Sequence, residues 1–305
     1  MKRFQVLAIL VAVGSISVAA RAYQQAAPRE VQVEQVRPNL WVLRGGGGNT
    51  AVFERADGVV VVDTKNPGWG QPILDAVKRL TNKPVTTIIN THTHFDHVSG
   101  NVEFPANVEI IVQENTKALM AEMRPVTGLG RGNGGPSIFA QNNGRGLPTR
   151  TYTDRLTLGS GADQIELHYF GRAHTSGDSF VVFPALRVMH AGDAFAGKDL
   201  PILDANNGGS GTDMPQTLTR AAEMADGRID TIITGHSGLM TVADLRQFAA
   251  FNQAFLEATR AAKRAGKTVA QAASEWKTPA GFAGYGQPQA ARAQSNTQVV
   301  YDELN

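Results

Sequence analysis

One seven-residue run, Thr91-His92-Thr93-His94-Phe95-Asp96-His97, constrains this 305-residue chain more than any other feature. It directly follows the apolar stretch Val85–Asn90, which reads as a buried strand. In extended backbone, residues two apart share a face, so His92, His94 and Asp96 can converge on one point. His97 joins them only if the chain turns, and Val98-Ser99-Gly100-Asn101 permits a turn into a helix. Three further metal-type side chains each fall just after a predicted strand: His174 in Gly171-Arg172-Ala173-His174-Thr175, Asp193 in Ala191-Gly192-Asp193, and His236 in Thr234-Gly235-His236. Loops at strand ends are where α/β folds gather their sites.

The chain contains no cysteine. That excludes disulfides, iron–sulfur clusters, zinc–thiolate sites and cysteine nucleophiles, so any metal is held by nitrogen and oxygen. The seven donors divide into two groups of three and one shared carboxylate. Imidazole and carboxylate suit zinc at about 2.0–2.2 Å, and a shared aspartate can bridge two metals about 3.5–4 Å apart. A metal with three histidines keeps a fourth position for water, as catalytic sites do. Iron or manganese can use the same donors.

The rest of the chain predicts a scaffold for such a site. With 42% hydrophobic and 18% charged residues it can bury a sizeable core. Strands are predicted at Val31–Val36, Leu40–Arg44, Asn49–Glu54, Gly58–Asp63, Val85–Asn90 and Val108–Val112, then at Tyr152–Leu158, Gln164–Phe170, Ser179–Phe183, Arg187–His190 and Thr231–Thr234. Helices are predicted at Gly70–Leu80, Glu114–Met123, Pro215–Ala225 and Val242–Arg264, and a short one at Thr268–Trp276. The alternation of strand and helix makes this an α/β protein. Arg124–Arg150, with seven glycines between Gly128 and Gly146, breaks the rhythm and reads as an insertion or a mobile loop over a site. Residues 266–305 read as a C-terminal tail with a short helix, extended through the Gly-, Gln-, Ala- and Pro-rich Gly281–Ser295.

At the other end, Lys2 and Arg3 precede an uncharged apolar run from Phe4 to Ala20, and Ala20-Arg21-Ala22 offers small residues for cleavage. Residues 1–22 are therefore expected to be a signal peptide, leaving a domain over 23–265 and a periplasmic or secreted protein with no stable membrane insertion. The alternative, a membrane anchor, suits a run of this length less well. Cleavage would remove three basic residues and no acid, so the net charge of +2 becomes slightly negative and a nucleic-acid partner is not expected. Oligomeric state is not encoded legibly.

The order HxHxDH, GxxHT, AGD, TGH over Val31–Phe248 resembles the metallo-β-lactamase superfamily. The resemblance implies an αββα sandwich: two facing mixed β-sheets, helices outside, metals at one edge. It implies that His92, His94 and His174 hold one zinc, that Asp96, His97 and His236 hold a second, and that Asp193 bridges them. Asp63, closing the Val59–Val62 strand, matches the first motif, a residue bracing the histidine loop. The implied activity is that of a binuclear zinc hydrolase cleaving a small acyl substrate (β-lactam, lactone, ester or thioester) with a metal-bridging hydroxide, Asp96 orienting it and shuttling its proton as the catalytic residue. β-Lactamase subclasses with a cysteine ligand are excluded, and the aspartate at 193 resembles instead the glyoxalase II, lactonase and phosphodiesterase branches. The alternatives are an iron-dependent redox enzyme of the same superfamily and a glyoxalase II-like thioesterase, whose glutathione-binding cations could be Arg260, Lys263, Arg264 and Lys267.

Other candidates are weaker. Lys198 can point a cation at a substrate carboxylate, and Asn206 and Asn207 can supply amide donors, although surface and turn roles are the commoner ones. Trp69 and Tyr152 are aromatic candidates for a pocket wall or for core. His168 and His190 read as structural, and Asp178 as a brace for the loop carrying His174.

Overall fold

The computed structural model describes residues 29–129 and 137–305. The proposed signal peptide and part of the glycine-rich insertion lie outside them. The first sheet has seven strands in sequence order: β1 (Gln32–Arg37), β2 (Leu40–Arg44), β3 (Thr50–Arg55), β4 (Gly58–Val62), β5 (Val85–Ile89), β6 (Glu109–Gln113) and β7 (Arg150–Tyr152). Pairing is antiparallel up to β4 and parallel from there on. The second sheet has the order β12-β11-β10-β9-β8, built from β8 (Arg155–Leu158), β9 (Ile165–His168), β10 (Phe180–Phe183), β11 (Val188–His190) and β12 (Thr231–Ile233). Only its β11–β12 pair is parallel.

The layers follow from side-chain alternation in a strand. In β4, Val60 and Val62 face the space between the sheets, where they meet Phe53, Ile89, Leu167, Val181 and Phe183. Val59 and Val61 face the other way, onto Ile73, Ala76 and Val77 of helix α1 (Gly70–Leu80). The second sheet turns Phe180, Val182, Met189 and Ile232 outward against α5 (Met214–Ala225) and α6 (Val242–Arg264). Both faces of both sheets are therefore covered, which explains the uninterrupted apolar run of β4. The expected αββα sandwich is the observed architecture. Residues Val31–Asn305 pack as one unit, and among the described residues no helix is long and apolar enough to cross a membrane.

Three expectations are corrected. Tyr152–Leu158 is not one strand: Thr153 and Asp154 form the turn where the chain leaves the first sheet (β7) and enters the second (β8). The insertion is not irregular throughout. It contains the short α4 (Ile138–Gln141), capped by the Ser137 side chain, whose Phe139 is buried with Val112, Met120 and Val98. That small cluster also receives α3 (Glu114–Glu122). Finally, residues 266–305 are not an extended tail. Besides the expected short helix, α7 (Val269–Glu275), they form α8 (Ala290–Glu303), which buries Ala293, Val299 and Val300 in the core of the second sheet's helical layer. The sequence masks α8 because its buried face mixes Ala, Asn and Thr with Val and Tyr, and the bulky aliphatics are confined to one turn.

Candidate metal centre

The parallel strands β4, β5, β11 and β12 all end at one edge of the sandwich, and six of the seven expected donors lie in loops that follow β5, β11 and β12; His174 comes from the β9–β10 loop. The chain bends from Thr91 to Thr93, is extended at His94 and then turns. His94 is the N-cap of the one-turn helix α2 (Phe95–Val98), and the His97 amide donates to the His94 carbonyl at 2.9 Å. The turn begins one residue earlier than extended backbone through Asp96 requires, and this sorts the donors. Asp96 is swung away from His92 and His94 and grouped with His97 and His236, while His92, His94, His174 and Asp193 form the other group; within each group the donor atoms all lie within 4.8 Å of one another.

Asp193 adjoins both groups. Its Oδ2 lies 3.6 Å from His174 Nε2 and 4.0 Å from His92 Nε2, and also 3.2 Å from His236 Nε2; its Oδ1 is 3.3 Å from His97 Nε2. Asp96 Oδ2 stands 3.4 Å from His236 Nε2 and 3.8 Å from His97 Nε2. The structure thus brings all seven expected residues together.

Three of the rings are aimed by a partner on the far nitrogen. Asp63 Oδ2 pairs with His97 Nδ1 at 2.7 Å, leaving Nε2 facing inward. The same carboxylate accepts from the Thr91 amide and hydroxyl, which fixes the start of the histidine loop as the resemblance implied. The His174 Nδ1 faces the Ile202 carbonyl at 2.8 Å, and Asp178 braces its loop through the Thr175 amide and hydroxyl. Asp204, which sequence reading passed over in favour of its neighbours Asn206 and Asn207, holds His94 Nε2 at 2.7 Å so that Nδ1 faces inward. Such partners fix ring orientation and tautomer in metal sites. Asp204 shares a run with two asparagines and no apolar periodicity, so nothing in the sequence separates it from an ordinary turn residue.

Close backbone approach completes the walls. A side chain at Gly48 would collide with the His97 ring, and one at Gly235 with Asp193 Oδ1. Asn49 ties the His236 loop to the first sheet by donating to the Thr234 carbonyl at 2.8 Å. Lys65, also unnoticed in the sequence, is fully buried and donates to the carbonyls of Leu43 and Gly48. Asp63 and Lys65 both hold left-handed backbone, with φ of 64° and 69°, a conformation that costs energy in non-glycine residues and clusters at functional sites.

The electrostatics suit a cation centre. Burial opposes charge on His97, yet Asp193, Asp96 and Asp63 together hold it well above the usual imidazole range. Burial, helped by His97, pushes His92 well below it, and burial with His94 nearby brings His174 down to about 4. Asp193 stays ionised far below the usual carboxylate range, because His97 and His236 outweigh its burial. Asp204 is held at about 2 by His94 in spite of burial. The donor set fits a metal: the His92 Nε2 atom is buried without a hydrogen-bond partner, and an orphaned atom of this kind is costly in a folded protein.

The remaining candidates go elsewhere. His190 is a buried strand residue whose ring nitrogens face the Asn49 carbonyl and the Gly192 amide. His168 pairs with Glu166 beside Arg228, away from the centre. Tyr152 is core, its hydroxyl on Ser179. Trp69 packs beneath Gly46 against the α1 layer. Asn206 and Asn207 hold the Arg124–Thr127 segment through the carbonyls of Pro125 and Arg124, and Asn207 also donates to Asp204. Lys198 forms an ion pair with Asp244 at 2.7 Å.

The sequence pattern of the metallo-beta-lactamase superfamily matches residues 43–236, which contain every one of these donors. The chain belongs to that superfamily. Its members are in general metal-dependent hydrolases, and the His/Asp cluster of this chain is a candidate metal centre of that kind. Among curated relatives, the 2,4-dinitroanisole O-demethylase subunit alpha of Nocardioides sp. (strain JS1661) is 29% identical over 164 residues, 52% of this chain and 45% of the relative. The metallo-beta-lactamase type 2 of Bacillus cereus is 24% identical over 219 residues, 68% of this chain and 76% of the relative. This chain thus spans less than half of the demethylase subunit. Among solved structures, the stereoselective inverting sec-alkylsulfatase Pisa1 from Pseudomonas sp. superposes with a TM-score of 0.66 at 17% identity, covering 90% of this chain and 50% of that one. That likeness carries the fold.

Proposed function

We propose that this protein is a binuclear zinc hydrolase of a small acyl substrate, with His92, His94 and His174 holding one ion, Asp96, His97 and His236 the other, and Asp193 between them. The observation that carries the reading is the convergence of seven donors, with the His92 Nε2 atom buried and without a hydrogen-bond partner. Two divalent cations held there would supply a water of near-neutral pKa and a Lewis acid for a carbonyl. The protein's own part is orientation and proton handling. Asp63 and Asp204 fix the rings of His97 and His94. Asp96, the least buried of the carboxylates at the centre, has its Oδ2 beside both His97 and His236 and is the carboxylate placed to hold or pass on a proton there. Asp193, buried and ionised, supplies the negative charge that makes a doubly cationic site affordable.

The cavity beside the centre has a volume of about 330 Å³ and is walled by His174, Asp193, His236, Leu200 and Phe248, a size that suits a small molecule. The names of the relatives mention β-lactam, aryl methyl ether and alkyl sulfate chemistry, so the test is a panel. Metal-loaded protein is assayed on an ester, a lactone, a thioester and a β-lactam, with 2,4-dinitroanisole and a secondary alkyl sulfate as outgroups. Turnover of an acyl member that vanishes on chelation and returns with zinc supports the proposal; turnover that survives complete metal removal refutes it. Export is proposed on the N-terminal pattern alone, and a mature N-terminus at residue 23 in periplasmic extract is its check.

A further inference from the structure

Arg292 stands in the first turn of α8, half-buried, and lines the same cavity as His174, Asp193 and His236. Among the described residues its guanidinium has neither an ion pair nor a side-chain hydrogen bond, although the charges of Asp199 and Asp193 reach it. Its place is unfavourable for helix stability. A cation in the first turn opposes the helix dipole, no acid occupies that turn, and the Gln289 side chain makes no cap. Burial also draws its pKa below the usual guanidinium range. The other cation of the cavity wall, Lys198, is already neutralised by Asp244. A free, partly desolvated guanidinium beside a metal-type centre is a costly arrangement that a planar oxyanion would satisfy with two parallel hydrogen bonds.

We propose that Arg292 is the specificity residue of the cavity and seats a carboxylate carried by the substrate, so that the natural substrate is an anionic acyl compound. Arg292 lies outside residues 43–236, the part matched by the superfamily pattern. Selectivity for the anion is therefore supplied by the C-terminal helix, and Lys198, a weaker candidate cation in the sequence, is occupied in holding the 193–198 loop to α6. The inference rests on the proposed hydrolase reading for its substrate class but not for its binding test.

The experiment uses full-length metal-loaded protein and a matched pair of esters, 4-acetoxybenzoate and its methyl ester. Arg292→Met is expected to raise KM for the carboxylate at least about tenfold, with kcat within about threefold and the methyl ester unaffected; Arg292→Lys should recover part of the loss. Equal effects on both esters, or none on either, overturn the assignment. Calorimetric titration with terephthalate runs in parallel and needs no turnover: binding to the wild type that is at least tenfold weaker in Arg292→Met supports the inference, and equal binding or none to the wild type overturns it. Melting curves of the variants confirm folding, and Arg292→Gln substitutes for Met if that variant fails to fold. Failure of both esters to turn over with terephthalate still bound through Arg292 would count against the hydrolase reading while leaving the carboxylate seat intact.

Discussion

Lys65 shows how a single side chain underwrites the centre. It is buried within a left-handed turn, and its ammonium draws the carbonyls of Leu43 and Gly48 together behind the glycine that faces His97. Burial lowers its pKa to about 7, against 10.5 for a free lysine. Between those values the unfolded chain binds more protons than the folded one, so stability contributed through this group rises with pH from about 7 to 10.5 and is flat below. Lys65→Met should lose about 2–4 kcal/mol by stranding two buried carbonyls, and urea melts at pH 7, 8 and 9 should show a smaller rise with pH than the wild type. At Asp204, truncation to alanine frees His94 Nε2 and the Thr127 and Asn207 donors. Metal affinity measured with a competing chromophoric chelator should fall about 10–100-fold; an unchanged affinity would mean that the carboxylate does not aim the ring. Gly235→Ala places a methyl on Asp193 Oδ1 and should lower metal content with the fold retained in circular dichroism.

Among the elements, the short helical turn Gly192–Phe195 is the most consequential, because it carries Asp193 into the centre. Phe195 anchors that turn against Phe248 of α6, with ring centroids 4.8 Å apart and both rings fully buried. Phe248→Ala should cost about 3–5 kcal/mol in chemical denaturation, and it should weaken metal binding too, since the lost ring supports the Asp193 turn; a stability loss with metal affinity untouched would separate the two. Helix α8 reaches the centre by a different route. Asn296 donates to the Pro201 carbonyl at 2.8 Å, next to Ile202, whose carbonyl orients His174. This helix was illegible in the sequence for a physical reason: its buried face uses Ala293, Asn296 and Thr297, residues that also compose coils, and its docking is decided by long-range packing. By contrast, α1 and α6 were read to the residue, because each sets a bulky apolar stripe against a polar face, and α6 opens with the Thr241–Asp244 capping box.

For the molecule as a whole, the sandwich was legible because a two-sided buried strand such as Val59–Val62 demands cover on both faces. The seven donors were legible because histidine and aspartate followed strands at regular places. Their partition was legible only through the family resemblance: spacing alone sets Asp96 on the face of His92 and His94, and the turn at Phe95 is what joins it to His97. The residues that aim them were not legible, since Asp204 and Lys65 act across the fold on groups 110 and 17–22 positions away. The account stands on seven side chains acting as one two-cation centre. Its most direct test is the metal content per chain, by plasma mass spectrometry after equilibrium dialysis against zinc, of the wild type, Asp193→Ala and His92→Ala. Two ions per chain in the wild type, falling in both variants, are expected; a wild type without bound metal, or variants that keep the full complement, would contradict it.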